Sequence, residues 1–102
     1  MRNTTSRPEK EHILVCLSSS PSNERIVRMA GMMAQAFCGN FTALYVQTPE
    51  DAAMNAEDAL RLQANIGLAQ HLGAEIVTMH SEDVPTQITE YARLSGVTKI
   101  VI

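Results

Sequence analysis

Three times the 102-residue sequence passes from a helical pattern through a glycine into a strand-length apolar run, at Gly39, Gly73 and Gly96. A glycine suits such a junction because the residue after a helix often needs a left-handed backbone, which a Cβ penalises. Strands alternating with helices predict an α/β chain with a parallel sheet and right-handed crossovers. The spacings differ, so the repeat is one of supersecondary units and not of sequence. A chain of this length builds one core and is too short for two.

Residues 1–11 are polar, with Asn, Thr, Ser, Arg and Pro, and read as a flexible leader or linker before a domain over residues 12–102. The run His12-Ile13-Leu14-Val15-Cys16-Leu17 suits a central parallel strand covered on both faces. Residues 18–23 form a turn, with Pro21 at the first helical position and Ser20 as its cap, or Ser22 as the alternative. In the helix that follows, Ile26, Ala30, Met33 and Phe37 share one face, with Val27 and Ala34 beside them. Phe41-Thr42-Ala43-Leu44-Tyr45-Val46 is a second strand, and residues 47–53 are a loop carrying Pro49. A longer helix covers about residues 54–72, with Leu60, Ala64, Leu68 and Leu72 as its apolar stripe. Gly67 weakens it by about 1 kcal/mol relative to Ala and marks a position of close packing. Residues 74–79 are a third strand, residues 84–95 a third helix and residues 98–102 a fourth strand. The apolar ending Lys99-Ile100-Val101-Ile102 reads as a fragment of a longer domain, cut in its fourth strand.

Composition removes several classes of function. Eight Lys and Arg against eleven Asp and Glu give a formal charge of −3. The basic residues are scattered, whereas phosphate backbones are held by clustered ones. Phe37, Phe41, Tyr45 and Tyr91 are too few for a base-stacking platform, so no nucleic acid is expected. No run of about 18 apolar residues spans a membrane, and no direct membrane contact is expected. Cys16 and Cys38 fall in strand and helix-end patterns and read as small buried apolar residues rather than a disulfide framework. A reducing, cytoplasmic setting follows.

The chemistry is expected at the carboxyl ends of the strands, near the point where strand order reverses. There Ser18-Ser19-Ser20, with Ser22, follow the first strand and precede a helix N-terminus, which carries partial positive charge and free N–H groups. Asn23 and Arg25 add donors. Serines before a helix also serve as plain caps and turn formers. The turn is not a Walker loop and carries no dinucleotide fingerprint.

Ile13-Leu14-Val15-Cys16-Leu17-Ser18, Asn23-Glu24-Arg25, Phe41-Thr42-Ala43-Leu44-Tyr45-Val46 and Gly96-Val97-Thr98-Lys99-Ile100-Val101-Ile102 resemble the universal-stress-protein domain of the KdpD family of potassium-responsive sensor histidine kinases. The resemblance runs from about His12 to Ile102. It implies a three-layer α/β/α fold with a parallel sheet, universal-stress-protein-like and thus of the adenine nucleotide alpha hydrolase-like type, truncated after the fourth strand. Members of this family that sense cyclic di-AMP carry Ser-x-Ser, twenty residues, then Phe-Thr-Ala-x-Tyr. Ser18 and Ser20, residues 21–40, then Phe41, Thr42, Ala43 and Tyr45 match in type and spacing. What the resemblance implies is a cyclic di-AMP site at the ends of the first two strands, formed by Ser18, Ser19, Ser20, Asn23, Arg25, Phe41, Thr42, Ala43 and Tyr45. Ser18 and Ser20 would hold phosphate, and Tyr45 would stack on a purine or hydrogen-bond it. ATP-binding universal stress proteins carry an acidic residue where Ser18 stands, so ATP is the least favoured ligand.

Three readings of function follow from this, the least favoured being a nucleotide hydrolase or ATP-binding stress protein. The first is the cyclic-dinucleotide-binding regulatory domain of a sensor kinase. The second is an interaction module that docks a separate universal stress protein or another domain of the parent kinase; a homodimer is compatible with either. His12, His71 and His80 lie on different elements, so no metal site is expected. Glu50, Asp51, Glu57 and Asp58 read as complements to a helix dipole. Asp83 reads as a helix cap. No nucleophile–base pair is spaced for catalysis, so the fragment is expected not to be an enzyme, the kinase chemistry lying elsewhere in the parent.

Overall fold

A computed structural model describes residues 10–102; residues 1–9, most of the expected leader, lie outside the described residues. In chain order the elements are β1 (His12–Cys16), α1 (Asn23–Ala36), β2 (Asn40–Gln47), a 3-10 turn (Pro49–Ala53), α2 (Ala56–His71), β3 (Glu75–His80), α3 (Val84–Leu94) and β4 (Lys99–Val101). All strand pairs are parallel, in the order β3-β2-β1-β4. The strand order therefore reverses between β1 and β4. The register sets His12 opposite Asn40 and Cys16 opposite Leu44.

Alternation along the strands divides the core into two layers. Ile13, Val15, Leu17, Phe41 and Ala43 face α1 and α2, which contribute Val27, Ala30, Ala34 and Ala69. Leu14, Leu44 and Val46 face the other way, toward Val84, Ile88, Tyr91 and Ala92 of α3. Ile13, Leu14, Val15 and Ala43 are fully buried, as expected of a strand covered on both faces. The expected three-layer arrangement is the observed one.

Several local expectations are corrected. Helix α1 starts at Asn23, so Pro21 precedes it, and Ser22 occupies the cap position without a side-chain capping bond. Its buried face is Asn23, Val27, Ala30 and Ala34, rotated from the expected one, because Asn23 is drawn under the β1 turn. Phe37 ends outside the helix, 47% exposed, with the Lys99 ammonium 5.2 Å from its ring centre. Cys38 is exposed, and it takes the left-handed conformation (φ 52°) expected of Gly39. Gly39 is needed for a different reason: a Cβ there would collide with the Glu11 carbonyl oxygen. Gly73 and Gly96 are left-handed as expected, at φ 97° and 69°.

Helix α2 starts two residues later than expected, after a cap in which Asn55 accepts from the Asp58 N–H at 2.8 Å. It buries Leu62, Asn65 and Ala69, while Leu60 is 72% exposed. The expected stripe meets the core in its second half only: Leu68 and Leu72 pack against it beside Ile66, while Leu60 and Ala64 stay exposed. Gly67 points into open space, so it marks no close packing; the close contact is at Gly31, against Leu72.

Candidate ligand site at the carboxyl ends of the strands

Beyond Cys16 the chain stays beside β2 for one more residue, the Leu17 N–H donating to the Leu44 carbonyl at 2.8 Å. The serine turn then closes on itself. The Ser20 N–H donates to Ser18 Oγ at 3.1 Å, and the Ser22 N–H donates to Ser20 Oγ at 3.3 Å. Ser20 and Ser22 share a hydroxyl–hydroxyl bond of 2.9 Å. These are the local side-chain-to-backbone turns that serine favours. All three of Ser18, Ser19 and Ser20 keep part of their surface in solvent.

Asn23 fixes this turn from below. It is 4% exposed, accepts from the Ser18 N–H at 3.2 Å and donates to the Cys16 carbonyl at 2.9 Å. Its amide is thereby committed to the loop. Helix α2 fixes the turn from the side: Asn65 donates to the Ser18 carbonyl at 2.9 Å and Arg61 to the Ser19 carbonyl at 3.1 Å. Arg61 is held in turn by Asp58 at 2.9 Å and Glu57 at 3.4 Å. The turn is thus rigid, and it stands at the positive end of α1, where first-turn N–H groups have no intrahelical acceptor. Arg25 is exposed in that first turn. Such a place can take an anion.

The second half of the expected site is divided between the two ends of β2. Phe41 pairs with Ile13 and lies in the core beside Gly31, with a closest approach of 3.6 Å to the position of a Cβ there. Thr42 is 2% exposed. Its hydroxyl meets His12 Nε2 at 2.8 Å, while His12 Nδ1 meets the Ser95 carbonyl at 3.1 Å. A carbonyl only accepts, so Nδ1 carries the proton, and in the neutral ring the Thr42 hydroxyl donates to Nε2. Ala43 is fully buried under the helices. The structure does not bring Phe41, Thr42 and Ala43 to the serine turn.

Tyr45 stands roughly 13 Å further along the strand than Phe41, at a rise of about 3.3 Å per residue. Its hydroxyl donates to Asp51 Oδ2 at 2.6 Å, and the Thr48 N–H donates to the same oxygen at 3.0 Å. Loss of hydration, then the Asp51 carboxylate, push the Tyr45 phenol up to about 12. The bond from Tyr45 holds the Asp51 carboxyl below its usual range. Tyr45, Asp51, Met54, Leu62, Gln63, Ile66 and neighbours line a hollow of about 390 Å³. No serine of the turn is among its lining residues, because α2 lies between: Arg61 and Asn65 reach the turn, whereas Leu62 and Ile66 reach Tyr45.

Arg61 and Asn65 escaped the sequence reading, and Asp51, read as a complement to a helix dipole, is instead the acceptor of the Tyr45 hydroxyl. Arg61 and Asn65 are four apart on a helix and so share a face, a signal the sequence does hold. Asp51 belongs to Thr48-Pro49-Glu50-Asp51, which has the form of a capping box.

No family model matches the sequence. The sensor protein KdpD of Clostridium acetobutylicum is 44% identical over 92 residues, which covers 90% of this chain and 10% of that protein. The chain is a relative of the KdpD sensor proteins. The KdpD of Escherichia coli is 28% identical over 93 residues, again 10% of its length, so the chain spans about a tenth of these KdpD proteins. The solved structures that resemble it are universal stress proteins. One, in complex with cAMP, gives a TM-score of 0.67 at 18% identity, covering 88% of this chain and 69% of that one. Another, from Archaeoglobus fulgidus in complex with dAMP, gives 0.60 at 20% identity, covering 88% and 78%. The fold of this KdpD-related segment is that of the universal stress proteins. No helix among its described residues is long and apolar enough to cross a membrane.

Proposed function

We propose that this chain is a regulatory domain of a KdpD-type sensor histidine kinase controlling potassium uptake, and that it binds cyclic di-AMP beyond the ends of β1 and β2. The observation that carries the ligand reading is the serine turn. It is built by Asn23, Asn65 and Arg61 into a fixed cradle at the N-terminus of α1, beside the point of strand reversal. Two proteins of the same fold are described as complexes with cAMP and dAMP, which supports an adenine nucleotide as the class of ligand. In this reading the phosphates meet Ser18, Ser20 and the first-turn N–H groups, with Arg25 supplying charge. Tyr45 supplies a ring on the far side of α2, so one base has to reach across the strand ends to its hollow. Phe41, Thr42 and Ala43 serve this site by holding β2 in place. The domain would act on the cytoplasmic side, with the phosphotransfer chemistry in other parts of the parent kinase.

The test is calorimetric titration with cyclic di-AMP, with ATP as the control. Saturable binding of the dinucleotide, lost in Ser20→Ala while the circular dichroism stays native, supports the reading. No heat well above micromolar concentration overturns it.

A second reading, the docking of a separate universal stress protein, is favoured by one observation. Among the described residues β4 pairs on one side only, and Ile100 and Leu94 nearby are 45% and 73% exposed. A pull-down by purified universal stress protein, abolished in Ile100→Lys, would favour it over the first.

A further inference from the structure

Between the ends of β2 and α2, residues 48–54 cross the carboxyl edge of the sheet. The 3-10 turn within them buries no residue. Its backbone bonds are internal, Asp51 N–H to Thr48 O at 3.0 Å and Met54 N–H to Asp51 O at 3.1 Å, so they do not hold it down, and a single turn is too short to persist once it leaves the sheet, so these two amides report its release. It has space on both sides. The Tyr45 hollow takes Asp51 and Met54 into its wall. A second hollow of about 420 Å³ takes Pro49 and Ala52, facing His80 at the end of β3 and Ser81 and Glu82 beyond it. The side-chain bond that ties the turn to the sheet is the one from Tyr45 to Asp51, at 2.6 Å.

We infer that residues 48–54 are a strap, latched across the Tyr45 hollow by the Tyr45–Asp51 hydrogen bond and released by an anionic ligand at the serine turn. The latch is independent of the ligand reading; the release rests on it. The chemistry is an exchange of acceptors. The phenol has one proton to donate, and Asp51 now takes it. A purine nitrogen brought from the serine turn to Tyr45 competes with Asp51 as acceptor. Losing one hydrogen bond to a charged group shifts the strap toward its open form by about 10- to 100-fold. Occupancy at β1 would then be reported at the surface, in a segment that other domains can read.

Amide exchange by NMR at Asp51 and Met54 tests both parts. In Tyr45→Phe, which keeps the ring, these amides should exchange about tenfold faster or more, with the urea midpoint near that of the parent chain. Unchanged exchange overturns the latch. A phenolate titration in Asp51→Asn checks it separately: the high-titrating tyrosine should fall from about 12 while staying above its ordinary value, because burial, the larger cause, is kept, and an unaltered titration counts against the latch. On adding cyclic di-AMP to the parent chain, exchange at Asp51 and Met54 should accelerate. Saturable binding with unchanged or slower exchange overturns the release. Absence of binding overturns the ligand reading and the release together, while Tyr45→Phe still decides the latch.

Discussion

The two ends of β2 use neighbouring residues of one motif for different ends. At the amino-terminal end, Phe41 fills the core under Gly31 and Thr42 closes a bond to His12, which also reaches the Ser95 carbonyl after α3. At the carboxyl-terminal end, Tyr45 has its ring half-buried and its hydroxyl engaged by Asp51 at the rim of a hollow. Phe41, Ala43 and Tyr45 share a face of the strand, so alternation alone does not separate them. The separation comes from direction: in a parallel sheet only one end of each strand opens to the loops that hold ligand. Four neighbouring residues of one strand motif are thus divided between the core and the rim of a hollow.

Substitutions at the two ends should separate folding from binding. The largest effect is expected at Phe41→Ala, a loss of about 3–5 kcal/mol in urea unfolding, with near-normal ligand affinity in whatever fraction stays folded. A mild stability loss with abolished binding would break the contrast. Thr42→Val comes next, at about 1–3 kcal/mol, because it leaves His12 Nε2 without its partner. Thr42→Ser should recover most of that loss, since it returns the hydroxyl. Tyr45→Phe should cost least in global stability at neutral pH, well under about 1 kcal/mol, because the strap opens before the core does, but it should change the alkaline limb. The unfolded phenol ionises near 10, while the folded one is pushed up to about 12. The contribution is fully present below 10 and is lost as pH rises from 10 to about 12, so Tyr45→Phe should show a flatter decline there. Cys16 adds a similar decline from 9 to about 11, common to both proteins, because burial raises its thiol. A thiol reagent at neutral pH should accordingly label exposed Cys38 well before Cys16.

The order and direction of the elements were legible because the apolar runs and the glycine junctions are strong local signals. Helix faces were less so. In α2 the expected stripe holds for Leu68 and Leu72 and fails at Leu60, where Leu62 is buried instead. The choice between the two was made by which of them meets the sheet, a tertiary fact. The left-handed residue at the first junction was misassigned because Gly39 is demanded by the approach of the Glu11 carbonyl, which no local pattern records. The serine turn before α1 was readable as a turn, but its supports were not. Asn65 and Arg61 lie more than forty residues away, and Asn23 is consumed by the turn it was expected to extend. Likewise Asp51, read as a helix-dipole complement, is the partner of Tyr45.

The central claim is that the rigid serine turn, and not the buried half of β2, receives the ligand. Titration of cyclic di-AMP into the parent chain, Ser20→Ala and Thr42→Val, each verified as folded, tests it most directly. The account predicts saturable binding in the parent chain and in Thr42→Val, and loss of it in Ser20→Ala. Binding that survives Ser20→Ala and fails in folded Thr42→Val would contradict it, as would a parent chain that binds ATP in preference to the dinucleotide.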